Sequence, residues 1–307
     1  MVARLATVLL AVACVCGSLW GCRLPDVVGA ASPHERYADS LRRAGLDTLA
    51  AGRLWLSAAD SALAAPDSVG LPEAVRLDAA AGTPRAWSMR LALRAGERLV
   101  IRVTPDLADS ARVFVDLFEV GPDGLRLADG REAVSDTLRI ERDTEAGETL
   151  VLRIHPELLA AGAVRVEIET VPSLAFPVAG AGAEDIGSVW ADPRDGGARR
   201  HEGIDIFAER GTPAVASAPG RVTRVAETPR GGRVVWMSPS GRPVSLYYAH
   251  LDTQLVATGA RVETGDTLGR VGTTGNAAGT PPHLHFGIYG RGGAVDPDPF
   301  VRARPER

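Results

Sequence analysis

The chain has 307 residues, a formal net charge of −4, 45% hydrophobic and 23% charged residues. These values fit an ordinary folded protein of two domains with small additions, and they give no electrostatic reason to expect a nucleic-acid partner. The basic residues are all arginine and are scattered, and all three cysteines (Cys14, Cys16, Cys22) lie at the very start. The body of the chain therefore holds no disulfide framework, no thiolate metal site and no catalytic cysteine.

Residues 1–21 read as an export signal. Arg4 supplies a positive n-region, and the apolar or small run from Leu5 to Trp20 is short for a membrane span and suited to a signal h-region. The run ends in LWGC, Leu19 to Cys22. This resembles the lipobox of bacterial lipoproteins, where cleavage before the cysteine leaves it as the lipidated N-terminus. The resemblance implies lipidation at Cys22 and a lipid anchor in a membrane of the cell envelope. Trp20 departs from the small residue usual at its position. An uncleaved anchor and an ordinary secretory signal are the other readings, and all three export the protein.

A helical hairpin is expected over 32–66. Ser32 and Glu35 have capping-box spacing, with Pro33 at the first helical position and Gly45 as a stop. A second helix is expected from about Thr48 to Ala65, with Leu49, Leu56 and Leu63 on one stripe and Pro66 ending it. The hairpin is too small for a site of its own, so packing or spacing is its expected role. Residues 68–172 then alternate in strand fashion. Trp87, Met89, Leu91 and Leu93 share one face of a strand, and Val164, Val166 and Ile168 share one face of another. Turn signals at Pro122–Gly124 and Ala128–Gly130 punctuate them. This spacing predicts an antiparallel β-sandwich, resembling modules found beside bacterial secreted peptidases. It serves as a binding module or a spacer, and its isolated His155 is expected to be structural or exposed.

A proline-punctuated junction, Thr170 to Gly180, leads into a glycine-rich, almost all-β domain over 174–301. Four of the six histidines fall here: His201, His250, His283 and His285. His283 and His285 lie one residue apart in the strand-like TPPHLHFGIY and so point the same way, with Cα atoms roughly 6–7 Å apart. Leu284 and Phe286 point into a core. His201 and Asp205 are four apart, again on one face of an extended segment. One His/Asp pair and one His/His pair are the raw material of a metal site. A nitrogen and oxygen donor set without thiolate suits zinc better than calcium or magnesium.

The motifs HEGID, YYAHL and TPPHLHFGIY, in this order and spacing, resemble those of the M23 family of zinc metallopeptidases, the lysostaphin or LytM-type peptidoglycan endopeptidases. The flanking segments Gly211–Val222, Gly265–Asn276 and Ala294–Phe300 are similar as well. The resemblance covers roughly residues 174–301. It implies a C-terminal antiparallel β-sheet metallopeptidase domain in a mainly β chain. It also implies one Zn2+ per chain on His201, Asp205 and His285, with His250 and His283 catalytic, one as proton carrier and one steadying the oxyanion, in either assignment. The implied activity is endopeptidase cleavage in peptidoglycan stem peptides or cross-links. The alternatives are a zinc peptidase of protein substrates and a catalytically silent LytM-type module that activates other wall hydrolases; all five positions being filled favours the enzyme. Two departures stand out. Gly287 follows HLHF where many members carry Glu, and the loop 187–203 lacks the usual Ser-Gly-Phe-Gly pattern. Neither is expected to touch a ligand, and both bear on the substrate groove. The sequence leaves the oligomeric state open.

Overall fold

A computed structural model describes residues 31–303. The signal segment and Cys22 lie outside the described residues. The capping box of Ser32 and Glu35 opens α1 (Pro33–Arg43), the Glu35 carboxylate accepting from the Ser32 N–H at 2.7 Å. Gly45 takes a left-handed φ of 71° just past the helix end. Next comes α2 (Ala50–Ala64), and its buried face differs from the leucine stripe read from the sequence. Gly52, Trp55 and Ala59 are buried, while Leu49 is exposed. One large side chain outweighs the leucines here. The Trp55 indole buries fully against Phe114 and donates to the Pro156 carbonyl at 2.8 Å.

The sandwich is built from β1 (Glu73–Ala79), β2 (Trp87–Leu93), β3 (Glu97–Leu107), β4 (Val113–Gly121), β5 (Gly124–Ala133), β6 (Leu138–Asp143), β7 (Glu148–Pro156) and β8 (Gly162–Pro172). One sheet runs β1–β8–β3–β6. The other runs β2–β7–β4–β5, with the short strand Asp67–Ser68 at its β2 edge. The alternating residues meet between the sheets: Met89, Leu91 and Leu93 from one, Val164, Val166 and Ile168 from the other. On the outer face of β7, His155 is buried. It faces His34 of α1 at 3.0 Å between ring nitrogens and stacks on Trp55 at 4.1 Å. Of the two expectations for His155, the structural one holds, and the hairpin's role is packing.

The C-terminal sheet has eight strands. In chain order they are β9 (Ile186–Ser188), β10 (Ile204–Phe207), β11 (Gly220–Thr228), β12 (Gly232–Pro239), β13 (Ser245–Leu251), β14 (Arg261–Val262), β15 (His283–Gly290) and β16 (Gly293–Val295). The sheet order is β9–β10–β15–β13–β12–β11–β14, with β16 on β15. One face buries Ile204, Ile206, Leu246, Tyr248, Leu284, Phe286 and Ile288. The opposite face carries the histidines.

The sandwich and the C-terminal sheet share a seam. Arg242, in the β12–β13 loop, donates to the Ser173 carbonyl and hydroxyl, both at 3.0 Å, and to Glu145. Its guanidinium lies 5.7 Å from the Phe300 ring. Ser173 N–H donates to Gly96 O and Leu174 N–H to Phe300 O. The expected junction is thus pinned on both sides by hydrogen bonds.

Candidate active site

Strand register places the first donors. In the antiparallel β10–β15 pair, Asp205 stands directly opposite His285 and Phe207 opposite His283. Alternation sends Ile204, Ile206, Leu284 and Phe286 to the core and all four partners to the other face. His201 arrives from the segment before β10, where Ala191 N–H donates to its carbonyl and its own N–H donates to Asp192. Its Nδ1 lies 2.9 Å from the Val189 carbonyl. Arg194 Nη2 lies 3.2 Å from the same atom, so the ring is held between a carbonyl and a guanidinium.

His201 Nε2 lies 3.1 Å from Asp205 Oδ1 and 2.9 Å from His285 Nδ1, and His285 Nδ1 lies 2.9 Å from Asp205 Oδ1. Among the described residues these three form the one cluster of metal-ligand type. Three such ligand atoms, two imidazole nitrogens and a carboxylate oxygen, converge as a donor set for a cation. Zinc holds such donors at about 2.0–2.2 Å, which for a tetrahedral ion sets them roughly 3.3 Å apart. The trio fits with outward shifts of a few tenths of an ångström. Burial alone raises a carboxyl pKa, but the two imidazoles hold Asp205 well below the usual carboxylate range.

His250 reaches the same face by a different route. Tyr248 is in the core and Ala249 opposes His285, so plain alternation would return His250 to the core. Its φ of 64° breaks the alternation, a conformation costing about 1–3 kcal/mol for a non-glycine residue. The surroundings hold it there. His250 N–H donates to Gly231 O at 2.8 Å and its Nδ1 lies 2.9 Å from Thr274 O. The turns that supply these carbonyls touch closely. A Cβ on Gly232 would meet Thr274 Oγ1 at 2.1 Å, and one on Gly275 would meet Gly232 N at 2.2 Å. Both glycines also have left-handed φ, so no other residue fits either position without rearrangement.

His283 has matching support, its Nδ1 lying 2.8 Å from Pro281 O. The rings of His250 and His283 are 5.1 Å apart and T-shaped. With both Nδ1 atoms engaged by carbonyls, both Nε2 atoms are left for chemistry. Burial, reinforced by the His285 and His283 rings, pushes His250 down to about 4, so it is neutral near pH 7.

All five residues line one cleft of about 580 Å³. Sequence reasoning missed a sixth participant. The loop 187–203, expected not to touch a ligand, does so. In a tight hairpin, Pro193–Arg194 pairs with Arg199–Arg200 around the turn Asp195–Gly197. Arg194 Nη2 then donates to Asp205 Oδ2 at 2.8 Å and also reaches Ser188. The carboxylate thus offers Oδ1 to the cluster and Oδ2 to the guanidinium. The Asp-Gly-Gly turn was the available signal for this hairpin; nothing local pointed to Asp205. Gly287, the other departure, faces the cleft side of β15. A Cβ there would lie 3.0 Å from Tyr289 Cε2 and 3.2 Å from Glu202 O, so its absence lets the tyrosine ring lie close over the strand.

The chain is similar to known proteins over this region. Residues 199–297 match the family model described as Peptidase family M23. The chain is 37% identical to the L-Ala--D-Glu endopeptidase of Bacillus subtilis over 128 residues, covering 38% of this chain and 39% of that one. It is 30% identical over 187 residues to the murein hydrolase activator NlpD of Salmonella typhimurium, covering 57% and 48%. The chain thus spans less than half the length of these two curated relatives. The catalytic domain of lysostaphin from Staphylococcus simulans is 30% identical, with 37% of this chain and 89% of that one covered at a TM-score of 0.34. The chain carries a domain of peptidase family M23 over residues 199–297.

Proposed function

We propose that the chain is a zinc-dependent endopeptidase that hydrolyses peptide bonds in peptidoglycan stem peptides or cross-links. The observation that carries the reading is the meeting, in one cleft, of the His201–Asp205–His285 donor trio with two further histidines whose Nδ1 atoms are tied to carbonyls. Zinc held by the trio supplies Lewis acidity toward a carbonyl and toward water. The chain's own residues do the rest. Asp205 offers one oxygen, because Arg194 occupies the other. His250, neutral at pH 7, takes a proton at Nε2 from the attacking water and returns it to the departing amine. His283, 5.1 Å away, steadies the developing oxyanion. The β10–β15 ladder fixes Asp205, His283 and His285 before substrate arrives.

The similarity to an activator of murein hydrolases supports a second reading, a module that cuts nothing itself. The filled donor and histidine positions favour the enzyme. We further propose export and lipid anchoring at Cys22, on the strength of the LWGC segment. Incubating the purified, zinc-loaded chain with defined muropeptides and reading product masses tests the activity. New termini at peptide bonds, lost on chelation and restored by zinc, are expected. Intact muropeptides together with stimulation of a separate wall hydrolase would establish the activator reading instead.

A further inference from the structure

One wall of the cleft is aromatic. Trp236 of β12 stands opposite Tyr247 of β13, and Tyr289 of β15 closes the group. The ring centroids lie 4.4 Å (Trp236–Tyr247), 5.0 Å (Trp236–Tyr289) and 6.1 Å (Tyr247–Tyr289) apart. Tyr247 continues to the ring of His285 at 5.8 Å. The path from His285 to Trp236 is therefore spanned by about three residues of extended peptide. All three aromatic residues are half-buried, so the face is open to a ligand.

The cleft is lined by three arginines and three carboxylates, most of them partnered. Arg199 donates to Asp195 at 2.6 Å and Arg194 to Asp205 at 2.8 Å, and Glu202 is bonded by Tyr289. Arg230 lines the same cleft, is exposed, and has no side-chain partner among the described residues. Its chain neighbour Gly231 lies against Tyr247, where an added Cβ would meet the phenol oxygen at 2.1 Å, so Arg230 stands at the edge of the aromatic wall. A guanidinium at the rim of an apolar face selects a group with matching halves: an aliphatic segment for the rings and a carboxylate for the fork of N–H donors.

We propose that Arg230 and the Trp236–Tyr247–Tyr289 face form a substrate subsite for a residue with a free carboxylate on a short aliphatic segment, within about three residues of the scissile bond. The cleft then prefers acidic peptides to neutral or glycine-only ones. The proposal rests on the peptidase reading and narrows its substrate.

The test uses one pair of peptides, acetyl-L-Ala-γ-D-Glu-L-Lys-D-Ala-D-Ala with the Glu α-carboxyl free or converted to the amide. Hydrolysis is followed by product mass and binding by calorimetry, with the zinc-loaded full chain and its R230Q and R230K variants. The expected wild-type preference for the acid is about two- to fivefold, the size of an ion pair at an exposed site. R230Q brings the ratio near one, and R230K retains part of it without the bidentate geometry. A ratio that survives R230Q assigns the preference to the metal site and overturns the subsite, as do equal binding of the two peptides and binding of neither. Tighter binding of the acid with no hydrolysis of either peptide upholds the subsite and removes stem-peptide cleavage from the peptidase reading. Equal hydrolysis of both does the reverse.

Discussion

Replacing Arg194 with leucine isolates the one residue at the metal site that its sequence pattern did not announce. Two effects of opposite sign compete. The guanidinium is a positive charge beside a cation site, so its removal relieves repulsion and strengthens zinc binding. It also holds Asp205 Oδ2 at 2.8 Å, and freeing that oxygen lets the carboxylate rotate away from the donor trio. Arg194's charge is already balanced by Asp205, so the orienting effect wins. Loss of an outer partner of a metal ligand typically costs 10–100-fold in affinity. The Arg194 side chain is 27% exposed, which puts the expectation at the lower end, about tenfold or about 1.4 kcal/mol. Competition for zinc against a chromophoric chelator at pH 7 measures it. Arg199→Leu is the control, because Arg199 binds Asp195 and touches no donor. Unchanged or tighter zinc binding in R194L, or an equal loss in R199L, would refute the orienting role.

Three other expectations follow from the same structure. His285→Ala should lose zinc and activity together, whereas His283→Ala and His250→Ala should keep zinc by metal analysis and lose about 10²–10⁴-fold in kcat; zinc loss in H283A with retention in H285A would reverse the roles. Burial drives His34 down to about 3 and His155 to about 2, while the unfolded chain protonates near 6.5. The unfolded state therefore binds more protons as pH falls, and stability, complete above about 6.5, declines toward pH 3. The loss at pH 5 is about 2 kcal/mol per imidazole. Urea midpoints that match at pH 7 and pH 5 would contradict it. Mass spectrometry of the membrane fraction should find the chain starting at a lipidated Cys22, and a mature start elsewhere removes the anchor.

How much of this was legible depended on whether the physics was local. His201, Asp205, His283 and His285 could be paired from spacing alone, because strand alternation fixes faces and the register then brings the two pairs together. The sandwich was visible through the same period-two pattern. His250 was reached through family resemblance only, since its place depends on a left-handed backbone held by two distant turns. Arg194 was invisible because its partner Asp205 lies eleven residues along the chain, across a hairpin turn. The His34–His155 contact joins positions 121 residues apart, and no periodicity encodes such a meeting. The leucine stripe of α2 misled in part: Leu49 is exposed and Leu56 only half-buried, because burying one large indole sets which face turns inward.

The seam around Arg242 bears on how this domain can be exchanged between proteins. A catalytic unit joined by a loose tether can be cut free and fused elsewhere with its surface already finished. Here, excision at residue 174 would strip Arg242 of Glu145 and Ser173 and remove Gly96 from against the Phe300 ring. The fragment would carry a guanidinium and an aromatic ring shaped for a neighbour left behind. Any transplant of the C-terminal sheet therefore has to bring the sandwich along as its fitted base, or repaint that patch with residues content in water.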